Sequence, residues 1–117
     1  MSLEIIERRK RQREEVIGQV SEFTKGLNFR CTVLLIGSYA RGDFNLWSDV
    51  DLLVIGEFNG TPVERLKNIN LPPGYEAILL TPDELLRKRN KKDRFIKEAF
   101  EKGVLMRDDL HLMSGNP

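Results

Sequence analysis

The 117-residue sequence has one cysteine, one histidine and one tryptophan. A single cysteine excludes an internal disulfide and a cysteine-rich zinc site, and it suits a reducing compartment, so the chain is expected in the cytoplasm. Cys31 opens an apolar run and reads as a buried, inert thiol rather than a nucleophile. The lone histidine, His111, has no partner histidine or cysteine and reads as a surface residue. Hydrophobic runs are short. The longest spans residues 31–36, counting Thr32, far below the roughly 20 residues of a membrane span. Residues 1–15 are mostly charged and carry no signal-peptide pattern. Glutamine is scarce and charged residues are many, a composition of heat-adapted proteins. A net charge of +1 selects no class of partner. What is present, 40% hydrophobic and 32% charged residues, describes a folded globular chain. Its length suits one domain, divided here into an N-terminal helix (1–26), a core (30–108) and a tail (109–117).

The spacing of apolar residues predicts the elements. Residues 3–25 read as one helix, with Val16, Ile17, Val20 and Phe23 on one stripe. Its first half, 7–15 (ERRKRQREE), has no apolar residue and reads as a solvated face laced by i, i+4 pairs, the alternative being a partner-binding arm. Strands are predicted at 30–36 and 49–55. Both are apolar on both faces in their inner parts, which places them inside a sheet covered by helices. Phe44 and Trp47, in the loop 43–48, read as plugs onto the core, with base stacking as the alternative. Thr61 and Thr81 each open a capping box with proline at the first helical position. A third strand is predicted at 75–80 and a short edge strand at 104–106. A turn near 90–92 splits two helices, because nothing apolar lies between Leu86 and Phe95. The basic run 87–94 (RKRNKKDR) reads as a solvated face, with RNA, an incoming triphosphate or an acidic partner as the alternative. Asp108 and Asp109 are adjacent, hence on opposite faces, and make no metal pair. Residues 113–117 are expected to fray.

The chain is organised around residues 37–55, GSYARGDFNLWSDVDLLVI. Gly37-Ser38 ends one predicted strand, and Asp49-Val50-Asp51 opens the next. Gly37 lets the backbone approach a ligand closely, and Ser38 is expected to cap a short helix at 39–41, whose free N–H groups suit a phosphate chain. Asp49 and Asp51, two apart at a strand start, share a face, and their mutual repulsion is relieved by a cation such as Mg²⁺. A triphosphate beside a carboxylate-bound metal describes nucleotidyl transfer. Each piece alone is an ordinary turn or strand start; their joint spacing carries the reading. Glu76 is the one charge in the third strand, and such a charge inside an apolar strand needs a partner or a metal, the alternative being that it lies at the exposed strand start.

GSxARG followed by SDxDLLV, matched at Gly37, Ser38, Ala40, Arg41, Gly42, Ser48, Asp49, Asp51, Leu52, Leu53 and Val54, resembles the minimal nucleotidyltransferases of the polymerase-beta-like superfamily. The motif covers about a sixth of the chain. The resemblance implies an α/β (α+β) nucleotidyltransferase fold: a mixed sheet of about four strands flanked by helices. It implies Mg²⁺, two ions, held by Asp49 and Asp51, with the β- and γ-phosphates at Gly37 and Ser38, Arg41 as a phosphate contact and Ser48 within the motif. It assigns Glu76 as third carboxylate or general base, where the family generally carries aspartate. It also implies transfer of a nucleoside monophosphate, AMP, from a nucleoside triphosphate. Little of the chain remains for an acceptor domain, so the acceptor is expected on a partner, which the resemblance implies is a HEPN-type toxin protein with this chain as antitoxin; the alternative is a small molecule held in a cleft whose second wall a homo-oligomer builds. No membrane partner is expected. The alternatives are a non-catalytic nucleotide- or partner-binding module, or an RNA-binding protein acting through 87–94.

Overall fold

The computed structural model describes residues 2–113. In chain order the elements are α1 (Leu3–Lys25), β1 (Cys31–Ile36), α2 (Gly37–Arg41), β2 (Val50–Gly56), α3 (Pro62–Leu66), β3 (Tyr75–Leu80), α4 (Pro82–Asn90), α5 (Arg94–Lys102) and β4 (Val104–Asp108). The strands form one mixed sheet in the order β3-β2-β1-β4. β1 runs antiparallel to β2 and to β4, and β2 runs parallel to β3. The two strands apolar on both faces are the two in the middle, because only there are both faces covered.

Period-2 alternation divides their side chains between two cores. Cys31, Val33 and Leu35 of β1, with Leu52 and Val54 of β2, pack with Val20 of α1. Leu34, Ile36, Leu53 and Ile55 face the other way, against Leu85 of α4 and Ile96 and Ala99 of α5. Leu34, Leu35, Leu52, Leu53 and Ile55 are wholly buried. At ~1.5–3 kcal/mol for each such side chain, this burial outweighs exposed ion pairs such as Lys25–Glu22, worth ~1 kcal/mol or less. Cys31 is buried, and burial pushes its thiol pKa up, so it is the inert thiol expected. His111 is exposed.

The predicted break between α4 and α5 is present. Lys92 takes a positive φ of 56°, and Asp93 caps α5 by accepting from the Ile96 amide at 3.1 Å. The Thr81 capping box is complete, with reciprocal bonds of 2.8 and 3.2 Å to Glu84. At Thr61 only half forms: its hydroxyl accepts from the Glu64 amide but donates to the Glu64 carboxylate, so that carboxylate does not reach back to the Thr61 amide. Of the two aromatics in 43–48, Phe44 plugs the core and stacks on Tyr39 at 4.5 Å. Trp47 does not; it is 86% exposed. The turn is closed by polar groups instead. The Asn45 side chain accepts from the Trp47 amide at 2.8 Å, and Ser48 Oγ accepts from the Asn45 amide at 2.9 Å.

Four arginines direct their forks at backbone carbonyls at element ends. Arg107 of β4 donates to the carbonyls of Thr24, Leu27 and Phe29, closing the end of α1. Arg65, 6% exposed, donates to the carbonyls of Gly60 and Leu79 and pairs bidentately with Glu84 at 2.6 and 3.2 Å. Arg13 donates to the Tyr39 and Ala40 carbonyls at 2.7 and 2.9 Å, and Arg9 to the Phe44 carbonyl at 2.6 Å. The expectation of a wholly solvated face over 7–15 is therefore corrected. Arg9 and Arg13 continue the stripe of Val16 and Val20 at helical spacing and bind α2 and the loop after it. Asp108 and Asp109 are also structural: Asp108 accepts from Thr32 Oγ1 and from the amides of Leu112 and Met113, and Asp109 from the Cys31 amide. Met113 is thereby tied down; residues 114–117 of the expected fray lie outside the described residues.

Candidate active site

The site is assembled by the register of β1, β2 and β3. Ile36 of β1 pairs with Asp51 of β2, and Asp51 pairs in parallel with Glu76 of β3. Gly37 follows Ile36 directly, at a φ of +74° that L-residues with a side chain rarely adopt. Its backbone lies so close to Asp51 that an added Cβ would fall 2.5 Å from Asp51 Oδ2. The Gly-Ser turn and the second aspartate of the motif are thus in contact, though thirteen residues separate them in sequence.

The positive φ at Gly37 also turns the chain into α2 earlier than expected. Ile36 occupies the cap position without a side-chain bond, and Ser38 lies inside the first turn, so Ser38 does not cap the helix. Its carbonyl accepts from the amides of Gly42 and Asp43 at 2.8 and 3.1 Å.

A cleft of about 580 Å³ opens beside this contact. Gly37, Arg41, Asp51 and Glu76 line one part of it. Ser38, Ser48 and Asp49 are not among its walls; Ser48 closes the 45–48 turn, and Asp49 is exposed just before β2. α5 adds Phe95, Glu98 and Lys102, and the far part is apolar, with Leu66, Leu71 and Ile78. Lys102 and this apolar part were not predicted as site features. Lys102 sits one helical turn after Glu98, yet nothing local reveals that α5 packs across the sheet here. The run 87–94 contributes no wall. Arg89 there covers the Phe100 ring at 4.2 Å, and Lys88 lies 3.9 Å from Asp93.

Of the two readings of Glu76, the structure has the exposed position near the strand start. β3 is an edge strand and Glu76 is exposed, so no cost of burying a charge demands a partner. What draws attention to Glu76 is its register opposite Asp51 on the same face. The Asp51 carboxyl is pushed above its ordinary pKa by burial first, then by the negative charges of Glu76 and Asp49, with Arg41 opposing. Arg41 itself is half exposed and pairs with Asp43 at 3.1 Å and Glu98 at 3.7 Å.

Among the described residues, no three acidic, histidine or cysteine side chains are gathered into a ready three-ligand cluster. The donor chemistry nevertheless fits a hard divalent cation: Glu76, the register partner of Asp51, and Asp49, two residues before it, both oppose its charge, and that repulsion is what a cation relieves.

A mixed four-stranded sheet of this kind, with helices on both faces, is a nucleotidyltransferase fold. A solved structure described as a putative nucleotidyltransferase from Sulfolobus solfataricus superposes with a TM-score of 0.51 at 23% identity, over 90% of this chain and 87% of that one. The chain belongs to the nucleotidyltransferase domain family, whose profile matches residues 13–109. It is 35% identical over 98 residues, 77% of its length and 97% of the relative's, to a Methanocaldococcus jannaschii chain named "Putative protein adenylyltransferase". The protein is a nucleotidyltransferase, and this family generally works with divalent metal ions. No helix among the described residues is long and apolar enough to cross a membrane.

Proposed function

We propose that this nucleotidyltransferase moves AMP from ATP, bound with Mg²⁺, to a hydroxyl group of a partner protein. The observation that carries the reading is the contact of Gly37 with Asp51 at the mouth of a cleft that also holds Glu76 and Arg41. A protein acceptor is supported by the name of the Methanocaldococcus relative, nearly all of which is matched. It is supported too by the half-exposed apolar flank, Leu66, Ile78 and Phe95, which leaves room for a second molecule. A HEPN-type toxin as that partner, with an antitoxin role for this chain, is the form the minimal-family resemblance gives the proposal.

In this reading Asp49 and Asp51 would hold Mg²⁺, with Glu76 as a third carboxylate beside them. When bound, Mg²⁺ would supply positive charge that offsets the triphosphate and the leaving pyrophosphate. The Gly37-Ser38 turn brings backbone N–H groups to the β- and γ-phosphates, because Gly37 has no side chain to hold them off. Arg41 neutralises the phosphates once it exchanges Asp43 and Glu98 for them; both of these pairs are exposed and weak. Ser48 keeps the loop before Asp49 closed. The acceptor oxygen attacks the α-phosphorus, the bond to the bridging oxygen of the β-phosphate breaks, and pyrophosphate departs. The acceptor's proton passes to a carboxylate at the sheet face, with Glu76, exposed on the edge strand, as the base.

Calorimetric titration of ATP, and then of the other triphosphates, with and without Mg²⁺, tests the reading. Binding to the wild type is expected to need Mg²⁺ and to be lost in Asp51→Asn. Binding that persists equally in Asp51→Asn, or without any divalent ion, would overturn it.

A further inference from the structure

α2 carries the Gly37 turn and Arg41 but has only five residues. A helix this short has no stability of its own, because nucleation costs more than so few hydrogen bonds return. Its final carbonyls also have no partners inside the helix. Arg13 of α1 supplies partners for two of them, and Arg9 holds the loop that follows. Arg13 spans successive carbonyls, with Nε on Tyr39 at 2.7 Å and Nη2 on Ala40 at 2.9 Å. Arg9, one turn earlier on α1, donates to the Phe44 carbonyl at 2.6 Å and lies over the Phe44 ring at 4.8 Å. Neither arginine lines the cleft.

We infer that Arg9 and Arg13 are positioning residues. They clamp α2 and its following loop from behind and so hold Gly37 against Asp51 and Arg41 at the cleft wall. A planar fork suits position 13, because Nε and Nη2 of one rigid group reach two carbonyls at once; a lysine brings three donors on a single freely rotating nitrogen and loses that preorganisation. The clamp explains why residues 7–15 carry arginine on the face that continues the apolar stripe. The catalytic half of the inference rests on the reading that the Gly37 turn holds the terminal phosphates.

The test uses Arg13→Gln, Arg9→Gln and Arg13→Lys in the full chain, with two readouts. The first is amide hydrogen exchange without nucleotide. The amides of Gly42 and Asp43, both bonded to the Ser38 carbonyl, should exchange about tenfold faster in the glutamine variants, while Leu34 and Leu53 in the central strands keep wild-type protection. The second is the ratio of affinities for Mg²⁺-ATP and for AMP. It should fall about tenfold in Arg13→Gln with AMP binding unchanged, roughly 1.4 kcal/mol, and recover in part in Arg13→Lys. Unchanged exchange at Gly42 and Asp43 would overturn the clamp whatever the nucleotide does. Faster exchange with a wild-type affinity ratio would overturn its role in the site. A wild type with no preference for ATP over AMP would overturn the phosphate-turn reading and the catalytic half with it, while exchange still decides the clamp.

Discussion

Gly37→Ala tests the central contact, and Gly42→Ala is its control. Both glycines have positive φ, +74° and +89°, so alanine at either must adopt the left-handed region. That costs about 1–2 kcal/mol, or about 4–8 °C of melting temperature for a domain of this size. The surroundings differ. A Cβ at Gly42 meets nothing within 4 Å, whereas one at Gly37 falls 2.5 Å from Asp51 Oδ2. The backbone of Gly37 is tied to the neighbouring register pair Ile36–Asp51, so the atom that yields is the carboxylate. Turning it out of its rotamer adds roughly 0.5–1.5 kcal/mol and takes it from its place beside Glu76. Thermal melting and Mg²⁺-ATP titration on both variants separate the two effects. Similar losses of stability are expected, with Gly37→Ala the larger, and a loss of affinity of about tenfold or more, ~1.4 kcal/mol, in Gly37→Ala alone. If the two variants bind Mg²⁺-ATP equally well, the Gly37–Asp51 contact does not shape the site.

Other consequences follow from the same geometry. Asp51 has its pKa raised by burial and by Glu76 and Asp49, so its ionisation destabilises the fold: the loss begins as pH rises past the ordinary 3.8 and is complete above the raised folded value. Asp51→Asn should therefore melt no lower than wild type at pH 7 in the absence of metal, while losing transfer; a marked drop in melting temperature would contradict the carboxylate crowding. Glu84 shows the opposite sign. Hydrogen bonds from Arg65 and the Thr81 amide lower its pKa from 4.5 to about 2, so its stabilisation is full above pH 4.5 and fades as pH falls through about 2. Glu84→Gln should cost about 2 kcal/mol in urea unfolding at pH 7, with the gap to wild type closing near pH 2. In the 43–48 loop, Phe44→Ala should cost about 3–5 kcal/mol, whereas Trp47→Ala should change stability by less than about 0.5 kcal/mol; chemical denaturation distinguishes them.

Much of the chain was legible because its signals are local. The limits of α1, the termination of α4 near Asn90 and the limits of β3 follow from caps, glycine, proline and apolar spacing within a few residues. The Gly-Ser turn and the two aspartates stand out for the same reason: they lie within one short stretch. Contacts made by long side chains across the fold were not. Arg9 and Arg13 read as solvated because an arginine shows its destination only when a row of unpaired carbonyls is brought to it. Trp47 read as a plug because the polar closure of its turn by Asn45 and Ser48 depends on the loop's path. Glu76 read as an internal charge or an exposed strand start, and the choice stayed open because strand order, which leaves β3 at the edge, is not written in β3 itself. The sequence determined which residue types are available and the elements that carry them, since those depend on backbone preference and the 3.6- and 2-residue periods. Tertiary structure alone decided that Asp51 meets Glu76 across a parallel register, that Gly37 rests on Asp51, and that α5 closes the cleft with Lys102, because each is a pairing between segments distant in the chain.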